Sequence, residues 1–316
     1  MSVDLQKIKI INEKMKGSNF NNPSVLYKYR PFDKFTFDML DKGYVYMCPA
    51  KNLDDEKECT VSFEVEDLLD VHSEQLTAMC VFNIMQMVKP YTSEENFEKS
   101  KEIVQGLMTE KGLVRRDWLL FESFDLQELY PNYNIAHLVN CLASIPSEIN
   151  KPESRKRIET LLINAQNARE QIGICSLTEL KNDHDMWVDY ADDEKGYCIE
   201  YCLNNYEPSQ LLFPVVYEDD RQNNVMLALV SDFIGELVSG MSNGEMETDI
   251  TRYLRIFLTK DLKWEPQKEW RLIGEAGFQL PAPKINAIYL GKNVSEKDKQ
   301  EMTMFCATHK IKLIQY

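Results

Sequence analysis

The sequence predicts an α+β fold, in which a mixed, mainly antiparallel sheet is built from both ends of the chain and a helical insertion lies between them. Strand-type alternation occurs at 25–30 and returns from residue 173 onward. Between about 66 and 171 the apolar residues recur at helical spacing instead. Since the sequence contains no repeat and no flexible linker, we expect residues 1–316 to form a single elaborated domain, with 66–171 as a helical insertion within it.

Composition favours a globular protein that acts on neither a membrane nor a nucleic-acid surface. The chain has 316 residues, of which 44% are hydrophobic, so it can bury a substantial core. Its net charge of −15 makes a nucleic-acid partner unfavourable, although it leaves room for a small basic pocket that holds one nucleotide. The sequence shows no signal-peptide pattern and no apolar run of the roughly 18 residues that a transmembrane helix needs. We therefore expect a cytoplasmic location.

The cysteines and the isolated histidines predict packing residues rather than a metal centre. None of the eight cysteines forms a C-x-x-C motif. Cys198 and Cys202 are close in sequence, but no second pair or nearby histidine completes a zinc site. His72 and His137 stand alone and indicate structural roles. On this basis we expect buried thiols and no metal.

The N-terminal part predicts a strand, a short helix and a second strand, at 25–30, 33–42 and 44–48. The helix is expected to end at Gly43, because glycine readily adopts the left-handed conformation that closes a helix. In the insertion we expect three to five helices, the last at about 153–171.

An acidic loop follows the second strand. Its carboxylates are the oxygen ligands that a divalent cation prefers, but acidic runs of this kind are more often a solvated turn. Both interpretations remain open from the sequence, and they concern Asp54, Asp55, Glu56 and Glu58.

The strand pattern resumes at 173–178, where Ser176 and Thr178 share one face. A short helix follows at 182–191, with Asn182 or Asp183 as its cap. The remaining elements are strands at 197–201, 211–217, 285–290 and 311–314, and helices at 221–241, 245–259 and 295–308, the last capped by Ser295.

The helix at 182–191 carries two candidate sets of side chains. Met186, Trp187 and Tyr190 are spaced to form its inward face. His184 and Asp185 could act as acid–base groups, but this pairing is more typical of a solvated surface.

The most informative stretch is 260–271, which contains two tryptophans, a Gln-x-Glu pair and an arginine. We predict a strand from Gln267 to Ile273, in which Gln267, Glu269 and Arg271 share one face. This face is either a solvated Glu–Arg surface or a site where a carboxylate lies between an amide and a guanidinium.

Several motifs resemble, in the same order, a bacterial family known as domain of unknown function twenty-nine seventy-one. Two positions depart from the family's pattern: the usual Asn-Asp-Pro-Phe-Glu is here 54–58, and the first Glu of Glu-x-Glu-Trp-Arg is here Gln267. The resemblance implies no established activity. The motifs are Leu26–Arg30, the loop from Leu53 to Glu58, Met186-Trp-x-x-Tyr-Ala191 with Lys195–Gly196, Lys260-x-x-x-Trp264 with Glu269–Arg271, and Ile288–Gly291.

The order of an arginine, a serine and a glutamate is also similar to the signature of mono-ADP-ribosyltransferases. This similarity implies that NAD is the substrate. Arg30 would bind its pyrophosphate, Ser176 would hold the strand at the nicotinamide ribose, and Glu269 would stabilise the oxocarbenium-like cation as nicotinamide leaves. Gln267 would position the acceptor, and Arg271 would assist cofactor binding.

Aromatic side chains complete this hypothesis, because Tyr29, Trp187 or Tyr190 could stack on nicotinamide. Without an acceptor the same site would hydrolyse NAD. The hypothesis requires Arg30, Ser176 and Glu269 to converge around one cleft.

Two alternatives come from other classes of protein. The first is a non-catalytic module that binds a nucleotide, another small molecule or a protein partner, for instance in a bacterial stress or phage-defence system. The second is a metal-dependent hydrolase that uses Asp54, Asp55, Glu58 and His184.

Overall fold

A computed structural model describes residues 3–15, 21–53, 57–61, 65, 69, 73–106, 108, 125–240 and 253–316. Within these ranges, helices and one large sheet occupy different parts of the chain, and the predicted α+β class is confirmed. His72 and the acidic residues Asp54, Asp55 and Glu56 lie outside the described residues.

The strands come from the beginning, the middle and the end of the sequence, as predicted. They are β1 (Val25–Arg30), β2 (Tyr44–Tyr46), β3 (Cys48–Pro49), β4 (Ile172–Thr178), β5 (Tyr197–Cys202), β6 (Leu212–Pro214), β7 (Val216–Glu218), β8 (Thr259–Asp261), β9 (Glu269–Glu275), β10 (Gln279–Pro281), β11 (Lys284–Leu290) and β12 (Lys312–Gln315).

The main sheet is mixed and mainly antiparallel. Its order is β12-β11-β5-β1-β4-β9-β6, and β3 pairs with β4 beside this path. Only the β11–β12 pair of the described main sheet is parallel. Two small ribbons accompany it, an antiparallel one of β2 and β10 and a parallel one of β7 and β8.

The strand registers put five polar or aromatic side chains on one face of the sheet. Tyr27 of β1 pairs with Thr178 of β4, and Thr178 pairs with Glu269 of β9. Ser176 and Arg271 pair two residues further along β4 and β9 and therefore point to the same side. This face carries the candidate site.

The principal helices end close to the predicted positions. Gly43 closes the second helix at φ 62°, with its N–H bonded to the Met39 carbonyl, and Asp183 and Ser295 cap the helices that follow them. The helices are α1 (Leu5–Met15), α2 (Thr36–Lys42), α3 (Ser73–Val88), α4 (Glu94–Gly106), α5 (Ile135–Asn150), α6 (Pro152–Ala168), α7 (His184–Tyr190), α8 (Arg221–Ser239), α9 (Leu254–Leu258) and α10 (Glu296–His309).

The chain divides into two compact units. The first contains residues 1–60, 167–221 and 249–316 and includes the main sheet, and the second contains 61–166 and 222–248. The insertion predicted from the sequence covered 66–171, whereas the second unit contains 61–166 and also 222–248, a segment that was predicted to lie outside the insertion. The described elements of the second unit are helical.

Two predicted elements, a strand and a helix, differ in the structure. The strand predicted at 211–217 is two strands, since β6 pairs with β9 whereas β7 pairs with β8. The helix predicted at 245–259 gives way to β8 at Thr259, and its first part, up to residue 252, lies outside the described residues.

The predicted strand at Gln267–Ile273 begins later than expected, at Glu269. Residues Leu262–Gln267 form a 3-10 helix around Pro266, and Lys268 adopts a left-handed conformation at φ 44°. Gln267 therefore precedes the strand instead of belonging to it.

No helix among the described residues has the length and apolarity required to cross a membrane. None of the eight cysteines, all of which are described, forms a disulfide, and six of them are buried.

Candidate functional site

The first unit contains a cavity of about 550 Å³ on the face of the sheet defined above. This volume is typical of pockets that hold a small molecule or a cofactor. Its aromatic and apolar lining comes from Tyr27, Tyr29, Leu53, Leu177, Met186, Tyr190 and Trp264, and its polar lining from Lys28, Glu58, Ser176, Thr178, Lys260, Gln267 and Glu269.

The cavity adjoins the place where β1 and β4 separate. Along these two fully described strands, the backbone pairing is limited to Tyr27 and Thr178. Lys28 then reaches across, and its Nζ donates to the Ser176 carbonyl at 2.8 Å. A lysine side chain thus replaces a backbone donor, which brings a cation to the cavity wall.

Four buried charged side chains form an ion cluster at the cavity wall, here called the 58/260/269/271 cluster. Lys260 Nζ lies 2.9 Å from Glu269 Oε2 and 3.7 Å from Glu58 Oε1. Arg271 Nε lies 2.7 Å from Glu269 Oε1, and Arg271 Nη2 donates to Glu58. Two cations and two carboxylates leave the cluster neutral, as burial requires.

Further bonds hold the arginine and the glutamate in place. Arg271 Nη1 donates to the Phe257 carbonyl at 2.7 Å and contacts Cys59 Sγ at 3.6 Å. The backbone N–H of Glu269 donates to the Tyr217 hydroxyl at 2.7 Å. The cluster is therefore fixed to β9 and to the segment around residue 58.

Both cations of the cluster stay charged at neutral pH. Burial acts to lower the pKa of Lys260, but the Glu269 carboxylate outweighs it and the pKa is raised. Burial lowers the pKa of Arg271 to about 9, which still leaves the guanidinium protonated at pH 7.

A hydrogen-bond chain leads from the cluster to the aromatic wall. Lys260 Nζ donates to Gln267 Oε1 at 2.8 Å, and Gln267 Nε2 donates to the Tyr190 hydroxyl at 2.9 Å. Thr178 fixes the glutamine backbone, because its hydroxyl donates to the Gln267 carbonyl at 2.6 Å.

Helix α7 supplies two residues of the wall, Met186 and Tyr190. Its N-cap is Asp183, whose carboxylate accepts from the Met186 N–H at 3.0 Å. Trp187 packs the helix onto the sheet through an edge contact with Tyr29, with ring centroids 5.1 Å apart. A capped and buried helix therefore positions Tyr190.

Of the predicted site residues, Ser176, Gln267, Glu269, Tyr29 and Tyr190 all line this cavity. Glu269 and Arg271 share a face, as predicted, but they are only 6% and 1% exposed. The interpretation of this face as a solvated surface is wrong.

Arg30 does not line the cavity, so the predicted convergence of Arg30, Ser176 and Glu269 is not found. The Arg30 guanidinium lies 3.2 Å from Asp33 and contacts the Met39 sulfur, beside α2. The strand alternation directs it away from the face that carries Tyr29, and the Asp33 carboxylate holds it there.

Trp187 and Arg271 also lie outside the cavity lining. Trp187 is fully buried, between Tyr29 and the stacked ring of Tyr316, so it is a packing residue rather than an exposed platform. Arg271 lies behind Glu269 and is engaged by two carboxylates.

The metal-site alternative depended on the acidic loop and His184. Glu58 forms ion pairs with Arg271 and Lys260. The His184 side chain is 74% exposed and lies outside the cavity. Within the described ranges, no group of three or more His, Cys, Asp or Glu residues is arranged to hold a metal ion.

Nine lining residues were not among the site residues predicted from the sequence, and five of these nine carry a charge or an aromatic ring: Tyr27, Lys28, Glu58, Lys260 and Trp264. Lys260 and Trp264 lie in the 260–271 stretch, so their proximity to Glu269 was a usable signal. Lys28 was not predictable, because the alternation assigned it to the other face and only the separation of β1 and β4 brings its side chain into the cavity.

The fold and the site define an α+β protein with a partly aromatic, partly charged cavity. Residues 186–272 match the model of a family described as Protein of unknown function (DUF2971), which confirms the predicted family resemblance over this segment. The segment includes Tyr190, Lys260, Gln267 and Glu269 of the cavity. Comparisons with curated proteins and with solved structures give no match.

The Lys195–Gly196 motif of the matched segment has a steric explanation. A Cβ atom at residue 196 would clash with the Arg30 carbonyl oxygen and would lie 2.9 Å from the Ala191 carbonyl oxygen. Only glycine allows the end of α7 and β5 to approach β1 this closely. The motif therefore fixes the fold around the cavity.

Proposed function

We propose that this cavity binds a small anionic ligand that contains a planar ring, of the nucleotide class. The observation that carries the proposal is the combination of aromatic side chains with a lysine, Lys28, that has no carboxylate partner among the described residues.

The aromatic wall favours a planar ring. Tyr27, Tyr29, Tyr190 and Trp264 line one cavity, and rings of this kind pack against a base by offset stacking or edge contacts. The volume of about 550 Å³ is large enough for a nucleoside monophosphate.

The charge balance favours an anion. The 58/260/269/271 cluster is internally neutral, so among the described residues Lys28 adds one positive charge at the cavity, in a chain whose net charge is −15. Lys28 uses one of its three N–H groups on the Ser176 carbonyl, and the others can donate to a phosphate oxygen.

Glu269 supports binding better than turnover. Its carboxylate already accepts bonds from Lys260 and from two nitrogens of Arg271. A carboxylate that is neutralised by two cations stabilises a developing positive charge poorly. This geometry therefore favours a non-catalytic binding module.

The test is calorimetric titration with AMP and with adenosine, which differ only in the phosphate. We expect AMP to bind more tightly than adenosine, and Lys28→Met to reduce the AMP affinity about tenfold or more while leaving adenosine unchanged. Arg30→Met on the same strand is the matched control, since Arg30 lies outside the cavity. No heat from AMP, UMP or NAD at millimolar concentration would refute the proposal.

A second candidate is cleavage of NAD, by transfer of ADP-ribose or by hydrolysis. It is favoured by one observation, that Ser176, Gln267 and Glu269 line the same cavity. Nicotinamide release from NAD, compared between the wild type, Glu269→Gln and Ser176→Ala, tests it. Release that persists in both folded variants, or no release at all, would eliminate this candidate.

A further inference from the structure

The hydroxyl of Tyr190 can donate a hydrogen bond to a ligand. It accepts from Gln267 Nε2 at 2.9 Å, and within the described chain no acceptor lies within hydrogen-bond distance of its own proton. Burial raises its pKa, so the phenol stays protonated at neutral pH. A tyrosine hydroxyl can both accept and donate, and among the described residues Tyr190 only accepts.

Lys260 determines which group donates and which accepts in the hydrogen-bond chain from Lys260 through Gln267 to Tyr190. An ammonium group can only donate, so the atom of Gln267 at 2.8 Å from Lys260 Nζ must be the amide oxygen. The amide NH₂ then faces Tyr190, which has to accept. The ammonium group of Lys260 therefore fixes the orientation of the Gln267 side-chain amide. The Thr178 hydroxyl holds the backbone of the same residue, because it donates to the Gln267 carbonyl.

Two other hydroxyl groups of the wall already donate their proton to a backbone carbonyl. Tyr29 donates to the Leu180 carbonyl at 3.2 Å and accepts from the Asp183 N–H at 3.4 Å. Thr178 donates to Gln267 and accepts from the Leu180 N–H at 3.0 Å. Tyr190 differs from these two neighbours because its proton has no acceptor in the part of the chain that the structure describes.

We infer that the Lys260–Gln267–Tyr190 chain is a specificity device, which makes Tyr190 a hydrogen-bond donor and selects ligands that present an acceptor oxygen, such as a carboxylate, a phosphate or a ring carbonyl, at that point. This inference rests on the proposed ligand cavity and names the chemical group that the cavity recognises. Gln267 is the specificity-determining residue. A carboxylate at position 267 would accept a hydrogen bond from the Tyr190 hydroxyl. The bond between the two residues would then run in the opposite direction, and the Tyr190 proton would no longer face a ligand.

The experiment uses two planar probes of nearly the same shape, benzoate, which presents only acceptors, and benzamidine, which presents only donors. The full-length protein carries tyrosine labelled with ¹³C at Cζ, and Tyr190→Phe assigns the Tyr190 signal. We expect benzoate to shift this signal and benzamidine not to. In Gln267→Glu we expect the signal to move without any probe, and the response to benzoate to disappear.

The affinity for benzoate provides a second test, in which the two substitutions compared leave the charge of the protein unchanged. Tyr190→Phe should weaken benzoate about tenfold, the loss of one hydrogen bond to a charged group. Tyr206→Phe removes a hydroxyl that donates to the Pro281 carbonyl outside the cavity, so it should change the benzoate affinity less than twofold.

The outcomes separate the two proposals. An equal response to both probes, or an unchanged Tyr190 signal in folded Gln267→Glu, would overturn the specificity device. If benzoate responds as expected but AMP, UMP and NAD do not bind, the acceptor-selecting site stands and the nucleotide proposal fails.

Discussion

Arg271 donates from Nε to Oε1 of Glu269 at 2.7 Å, although only one residue separates the two in β9. Alternate residues of a strand point to the same face, so the pairing follows directly from the Glu-Trp-Arg sequence. Because both side chains are almost completely buried, their charges need further partners, and Lys260 and Glu58 provide them.

The ion cluster should be sensitive to the loss of any single member. Lys260→Met leaves two buried carboxylates with one guanidinium, and we expect the free energy of unfolding to fall by about 3–5 kcal/mol. Chemical denaturation monitored by circular dichroism measures this. Lys99→Met removes one partner of an exposed pair with Glu95, so it should leave the free energy of unfolding almost unchanged. Equal effects of the two substitutions would contradict a cooperative buried cluster.

The strands of the site were predictable where local pattern decides the structure. The strand predicted at 25–30 has the same bounds as β1, and the caps at Asp183 and Ser295 act within one turn of helix. The shared face of Glu269 and Arg271 was predictable for the same reason.

The rest of the site depends on long-range geometry. Arg30 was expected in the cleft, but a carboxylate only three residues away, on Asp33, holds it beside α2. Lys28 was excluded by alternation, and it reaches the cavity because β1 and β4 separate after one pair. Such a separation leaves no local sequence signal. Strand alternation also cannot tell a solvated Glu–Arg face from a buried one, since burial depends on segments as distant as residue 58.

The cap of α7 should influence ligand binding as well as stability. Asp183→Ala removes the acceptor for the Met186 N–H, which we expect to cost about 1 kcal/mol of stability. Because α7 carries Tyr190, the loss should also weaken the affinity for AMP.

Ser295→Ala is the matched control for this prediction. It removes the equivalent cap of α10, which contributes no cavity residue, so it should lower the melting temperature to a similar degree without affecting AMP. If both substitutions weaken AMP equally, the effect is one of general stability, and the link between the α7 cap and the site is refuted.

Alkaline pH should expose the contribution of Cys59, which lies fully buried beside Arg271. Burial raises its pKa from the ordinary thiol value of 9.0 to about 12. As pH rises above 9, the unfolded chain releases this proton while the folded protein retains it, so stability falls until the folded pKa is reached. At pH 10.5 the loss from this group is about 2 kcal/mol.

The contribution of Cys59 is measured by comparing the free energy of unfolding of the wild type and of Cys59→Ser at pH 7 and at pH 10.5. The difference in stability between wild type and variant should shrink by that amount at the higher pH. An unchanged difference would mean that the thiol is not buried in the folded protein.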